Sequence, residues 1–258
     1  MTVRDKLRII SIVNQKGGVG KTTTTMNLST ALCAMKKRVL VVDLDPQSNT
    51  TSGLGMQSDR FKYTSYDLLI SNKPFLECIS NTPIPNLSII PATIDLSGAE
   101  VELAQLENKE FFLKNTFQES YKHFDYILID CPPSLGLLTI NALVASNEVL
   151  IPLQCEYFAL EGLSHLVNTI ETVNISLNKS LKIGGIVLTM YDSRNNLSKM
   201  VNEDVRKFYG SLVYKTIIPR NVRISEAPSH GYPVIVYDPN CVGSRAYIDL
   251  ASEVILQK

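Results

Sequence analysis

Short apolar runs alternate with longer stretches of helical period along this chain. Residues 9–13, 39–42, 87–90, 126–129, 149–153 and 183–189 read as strands, and amphipathic segments separate them. Such alternation predicts parallel βαβ units, and so an α/β fold with a mostly parallel, twisted sheet. Val39, Leu40, Val41 and Val42 are apolar at every position, not at every second one, which a strand covered by helices on both faces requires. The helices therefore flank both faces. Residues 56–91 carry Pro74, Pro83 and Pro85 among mixed polar positions, which predicts an irregular excursion with one short helix around 65–70. The stretch 243–256 reads as a closing helix. Neither an internal repeat nor a low-complexity tract divides the sequence, so one domain over residues 1–258 is expected.

Composition narrows the function classes. The chain has 258 residues, 45% hydrophobic and 19% charged, enough for one sizeable core. Lys+Arg and Asp+Glu both number 25, so bulk charge does not drive nucleic-acid binding, and any DNA affinity must come from a local patch. Five cysteines without a CxxC pair argue against a disulfide framework and a zinc site. No apolar run reaches the roughly 18 residues of a membrane span. A cytoplasmic location is expected.

The sharpest motif is Asn14-Gln15-Lys16-Gly17-Gly18-Val19-Gly20-Lys21-Thr22-Thr23, after an apolar strand and before a helical segment running to about Met35. That is the context a phosphate-binding loop needs. Glycines let backbone N–H groups turn inward on an anion, and the helix N-terminus adds partial positive charge. Lys21 is a point charge for the β- and γ-phosphates of ATP, and the Thr22 hydroxyl a ligand for Mg²⁺. A Gly-rich turn without a ligand is the competing reading, which the Lys-Thr pair disfavours. The loop departs from the ordinary pattern of Gly, four residues, Gly-Lys-Thr by opening on Lys16. Lys16 to Thr23, with Val19 included, form the candidate nucleotide cradle.

Two further strands end in acids. Val42-Asp43-Leu44-Asp45-Pro46 places two carboxylates at the carboxyl edge of a strand, where open α/β sheets build ligand sites. Asp43 and Asp45 are expected on one face, ordering an attacking water and the Mg²⁺ shell without large pKa shifts; Asp45 is assigned the water. A turn-forming role before Pro46 is the alternative, more evenly balanced for Asp43. Tyr126-Ile127-Leu128-Ile129-Asp130 has the form of a Walker B strand, and Asp130 is expected to reach Mg²⁺ through water. Cys131, with no partner at ligand spacing, reads as a buried structural thiol.

With these motifs in place, the sequence resembles the ParA/Soj family of DNA-partitioning ATPases over almost its whole length. Residues 42–55, 130–142, 152–163, 188–199 and 218–238 carry the likeness, and 59–85 match least. In that class a lysine at the place of Lys16 reaches across a dimer to the partner's phosphates. The resemblance implies an ATP-bound sandwich homodimer that coats nucleoid DNA without sequence preference. A ParB-type partner on a centromere-like site then triggers hydrolysis and release. It also places Pro219 and Asn221 near the adenine, and Arg194, Arg220 and Arg223 at DNA contacts. Between residues 179 and 258 there are eleven Lys/Arg against seven Asp/Glu, in keeping with a local basic patch. Ser48 and Thr50 depart from smaller residues often found in relatives, and the Asn240-Cys241 pair before Gly243 is a second departure. A helix-turn-helix extension before the first strand is not expected.

Three rival readings use the same loop. A MinD-like ATPase needs a basic amphipathic C-terminal helix for membrane, and residues 252–258 have little basic character. A reductase like the nitrogenase iron protein needs cluster ligands that Cys131 and Cys155 do not match. An ATPase that positions protein clusters on the nucleoid stays open.

Overall fold

The computed structural model describes residues 7–57, 61–117 and 123–257. Of the positions named above, Asp59 and Lys258 lie outside the described residues. The strands are β1 (Arg8–Ile12), β2 (Val39–Asp43), β3 (Ser80–Asn81), β4 (Leu87–Ile90), β5 (Tyr126–Asp130), β6 (Glu148–Gln154), β7 (Lys182–Tyr191) and β8 (Val213–Pro219). They form one sheet in the order β3-β4-β2-β5-β1-β6-β7-β8. Every pairing is parallel except the two-residue β3 against β4. All six runs expected as strands are strands; β3 and β8 are additional.

The uninterrupted apolar run in β2 serves both faces as anticipated. Leu40 and Val42 enter one core with the helices Leu137–Ala145 and Ala159–Ser176, while Val39 and Val41 enter the other with Lys21–Ala34 and Val242–Leu256. Ala159–Ser176 buries Ala159, Leu163, Leu166, Ile170 and Val173, one face at alternating four- and three-residue spacing. Lys21–Ala34 is different. Eleven of its fourteen residues are buried, because it lies between the sheet and the C-terminal helix, so it has no solvent stripe.

β1 sits between β5 and β6, and the chain leaves it toward β2 on one side and later builds β6 on the other. The strand order reverses there, which opens a crevice beyond the carboxyl ends of β1 and β5. The phosphate-loop motif follows β1, and Asp43 and Asp130 end β2 and β5 in register with each other. Parallel topology thus delivers all three motifs to one edge.

Candidate active site

Residues 14–20 turn tightly between β1 and the helix that begins at Lys21. Gly18 and Gly20 have φ of 76° and 92°, a region where a side chain is strained, so the turn requires glycine at both. The Asn14 amide donates to the Pro152 carbonyl (2.8 Å) and its oxygen accepts from the Lys16 N–H (3.0 Å), which fixes the entry to the loop on β6. Counting back from Gly20, the first glycine of the ordinary pattern falls at Gln15. The departure therefore spans Gln15 and Lys16 together, and the Gln15 amide donates to the Gly162 carbonyl (3.2 Å).

The two lysines occupy opposite environments. Lys21 is buried, and its ammonium donates to the Lys16 carbonyl (3.0 Å) across the loop. Burial lowers its pKa, opposed by the Asp130 carboxylate. Lys16 has a half-exposed side chain at the rim, ion-paired to Glu156 just before the Ala159–Ser176 helix.

The Asp130 carboxylate is fully buried and gathers hydroxyls. Thr22 (2.8 Å) and Thr50 (2.6 Å) donate to Oδ2, and Thr25 (3.2 Å) to Oδ1. Burial raises its pKa, while the Thr50 and Thr22 hydrogen bonds oppose the rise. Asp43 is also fully buried, accepting from the Thr51 N–H (2.9 Å), the Thr51 hydroxyl (2.7 Å) and the Asp45 N–H (3.2 Å). Burial first, and Asp130 next, push it well above the ordinary 3.8. The expectation that these acids work without large shifts does not hold for Asp43, because helix Asn49–Gly53 closes over it. Asp45 is also buried, its Oδ1 accepting from the Gln47 N–H (2.9 Å) in the turn at Pro46.

Thr50 and Thr51 are the residues sequence reading missed. Thr50 stood out only as a departure from the family pattern; its signal was a hydroxyl pair seven residues past the strand acid. Ser48, the other departure, adopts φ of 50° at the start of helix Asn49–Gly53 and so aims both threonines back at the carboxylates.

A second pocket, of about 400 Å³, opens on the far side of the loop between Gly20, Thr23, Met190, Pro219, Asn221 and Tyr247. Pro219 and Asn221 thus stand beside the phosphate loop although 198 residues separate Thr23 from Asn221 in sequence. Asn221 spends its oxygen on the Ile224 N–H (3.3 Å) at the start of helix Val222–Glu226. Arg220 lines the same pocket. Arg194 and Arg223 lie outside it: Arg194 forks onto Asp192 (2.9 and 2.8 Å), and Arg223 pairs with Glu226 (3.0 Å) and Asp238 (3.5 Å). Cys131 is fully buried, which raises its thiol pKa, as a structural cysteine requires.

The oxygen-only set of Thr22, Thr50 and Asp130, with Asp45 nearby, has the chemistry of a hard divalent cation site beside a phosphate cradle. Comparison with known proteins agrees. Residues 7–183 match the family model described as AAA domain. The chain is 55% identical to the sporulation initiation inhibitor protein Soj of Bacillus subtilis (strain 168), over 96% of this chain and 98% of that protein. It is 52% identical to the chromosome partitioning protein ParA of Caulobacter vibrioides (strain NA1000 / CB15N), over 96% and 94%. Among solved structures, cobyrinic acid a,c-diamide synthase from Mycobacterium smegmatis, with bound ATP analogue and magnesium, superposes with a TM-score of 0.84 at 35% identity, over 96% and 94%. A doubly flanked parallel sheet, a phosphate loop opening on lysine and near end-to-end identity to Soj and ParA converge: this chain belongs to the ParA/Soj family of chromosome-partitioning P-loop ATPases.

Proposed function

We propose that this chain is an ATP-driven switch for DNA partitioning. ATP with Mg²⁺ binds the phosphate loop, two ATP-bound copies form a sandwich dimer, and the dimer binds DNA without sequence preference. A ParB-type partner then stimulates hydrolysis and release. The observation that best supports this reading is the buried Asp130 carboxylate holding the Thr22 hydroxyl directly beneath a loop whose Lys21 is folded onto its own backbone.

The residues divide the work. Lys21, now on the Lys16 carbonyl, exchanges that weak acceptor for phosphate oxygens, a charge-assisted contact. Thr22 would hold Mg²⁺ directly and Asp130 and Asp45 through water, and the ion when bound would supply positive charge to the phosphate oxygens. Asp45 orients the attacking water, while buried Asp43 holds the Thr51 end of helix Asn49–Gly53 in place. Lys16 leaves Glu156 to meet the phosphates of a second copy. Pro219 and Asn221 form the adenine end, where the free Asn221 amide donates to the base edge.

Arg194, Arg220 and Arg223 form the DNA-facing set. Arg194 and Arg223 are already paired with their own carboxylates, so phosphates must compete for them, which makes binding weak and salt-sensitive. Dimerisation doubles the set and with it the electrostatic term.

Steady-state ATP hydrolysis tests the reading. Slow turnover alone, raised by long duplex with the ParB-type protein of the same genome, is expected. Asp45→Ala should lose turnover and keep ATP-dependent dimers. Turnover indifferent to duplex and partner would leave an ATPase without the partition role.

A further inference from the structure

The end of β7 grips the phosphate loop from outside. β7 ends in an irregularity. Leu188 pairs with Ile217 of β8 and Tyr191 with Pro219, so β7 advances three residues where β8 advances two. One extra residue is accommodated at Thr189–Met190, and such bulges re-aim side chains beside active sites. Met190 takes φ of 51°, a left-handed conformation that is costly for a long side chain. It lines the nucleotide pocket. Beside it, Thr189 is 2% exposed, and its hydroxyl donates to the Val19 carbonyl of the phosphate loop at 2.8 Å.

That hydrogen bond sets the orientation of one peptide. The Val19–Gly20 unit is planar and trans, so its C=O and N–H point to opposite sides. With the carbonyl held on Thr189, the Gly20 N–H points the other way, into the loop, where a phosphate would be received. This peptide turns on the ψ of Val19 and the φ of Gly20, and Gly20, at φ of 92° and without a Cβ, opposes little rotation on its side. A flipped peptide would turn a carbonyl oxygen toward the phosphates and withdraw a donor. Something outside the loop must select between the two orientations, and Thr189 is the buried donor in contact with that carbonyl.

We infer that Thr189 is a positioning residue for the nucleotide: through the Val19 carbonyl it holds the Gly20 N–H toward the phosphates. The bulge and the strained Met190 bring it there. It touches no reacting atom and acts through the loop.

The test is Michaelis kinetics of Mg-ATP hydrolysis by the full chain for Thr189→Val, Thr189→Ser and the unaltered protein, well below the melting temperature of each. Thr189→Val keeps the shape and loses the donor. Its KM should rise about tenfold with a smaller change in kcat, the size of one hydrogen bond. Thr189→Ser restores the hydroxyl and should return KM to within about twofold of the unaltered protein. If Thr189→Val does not fold, Thr189→Ala removes the same hydroxyl and carries the same expectation. A KM within about twofold for the folded hydroxyl-free variant overturns the inference. So does a Thr189→Ser variant as impaired as Thr189→Val, since the shape of the side chain and not its hydroxyl would then matter.

Discussion

Hydroxyl groups are the residue-scale device of this site. A fully buried carboxylate is tolerated only when donors compensate it, and Asp130 has Thr22, Thr25 and Thr50. Thr50→Val removes the shortest of these, so the nucleotide-free protein should lose about 1–3 kcal/mol, read as a shifted urea midpoint. An unchanged midpoint would show that Thr22 and Thr25 suffice. Asp43 gives a pH dependence with a definite sign. Burial and Asp130 hold its pKa above the ordinary 3.8, so the folded chain keeps a proton that the unfolded chain releases. This contribution to stability is complete below the ordinary carboxylate range and is lost as pH rises through the raised value. The urea midpoint of the nucleotide-free protein should therefore be lower at about pH 8 than at about pH 6. A midpoint that rises across this interval would contradict the assignment. None of these partnerships could be read from sequence, because a threonine acquires its role only when the chain folds back over the strand acid. The glycines, Lys21, Thr22 and the strand-ending acids were legible, since their spacing is fixed by one local turn or by one strand.

At the scale of elements, legibility followed burial. The six inner runs are apolar enough to announce themselves, and β2, β4 and β5 match their expected spans closely. β8 escaped notice because Lys215 and Thr216 interrupt it, as an edge strand with one open side allows. That side is covered by the C-terminal helix: the Glu253 carboxylate accepts from the Lys215 N–H (2.8 Å) and the Thr216 N–H (2.6 Å). Glu253 thus blunts an edge that could pair with another chain. Glu253→Ala should cost about 1.5–3 kcal/mol, the range for hydrogen bonds to a charged group, measured by urea denaturation. It should also raise the tendency to aggregate on warming, followed by light scattering. β8 matters for function because its end supplies Pro219, and the residues after it supply Arg220 and Asn221.

For the whole molecule, the central feature is a neutral chain with its basic excess in the last third. Arg194 is exposed yet held by the two oxygens of Asp192, and Asp192 also faces Arg220. Asp192→Asn keeps an oxygen for the Arg194 N–H and removes the charge that competes with DNA phosphate. It should tighten binding to long duplex and steepen the salt dependence by roughly one counterion per protomer. Asp204→Asn, an equal change of net charge on the helix Asn196–Tyr209, should do less; equal effects would show that Arg194 is not restrained by its neighbour. The most direct measurement is binding to a long non-specific duplex at low and moderate salt with ATP, with ADP and without nucleotide, for the unaltered chain, Lys16→Ala and Arg194→Ala. Salt-sensitive binding that needs ATP and is lost in both variants is the expected result. ATP-dependent dimers that bind no duplex at any salt would contradict the DNA-partitioning reading while leaving the ATPase in place.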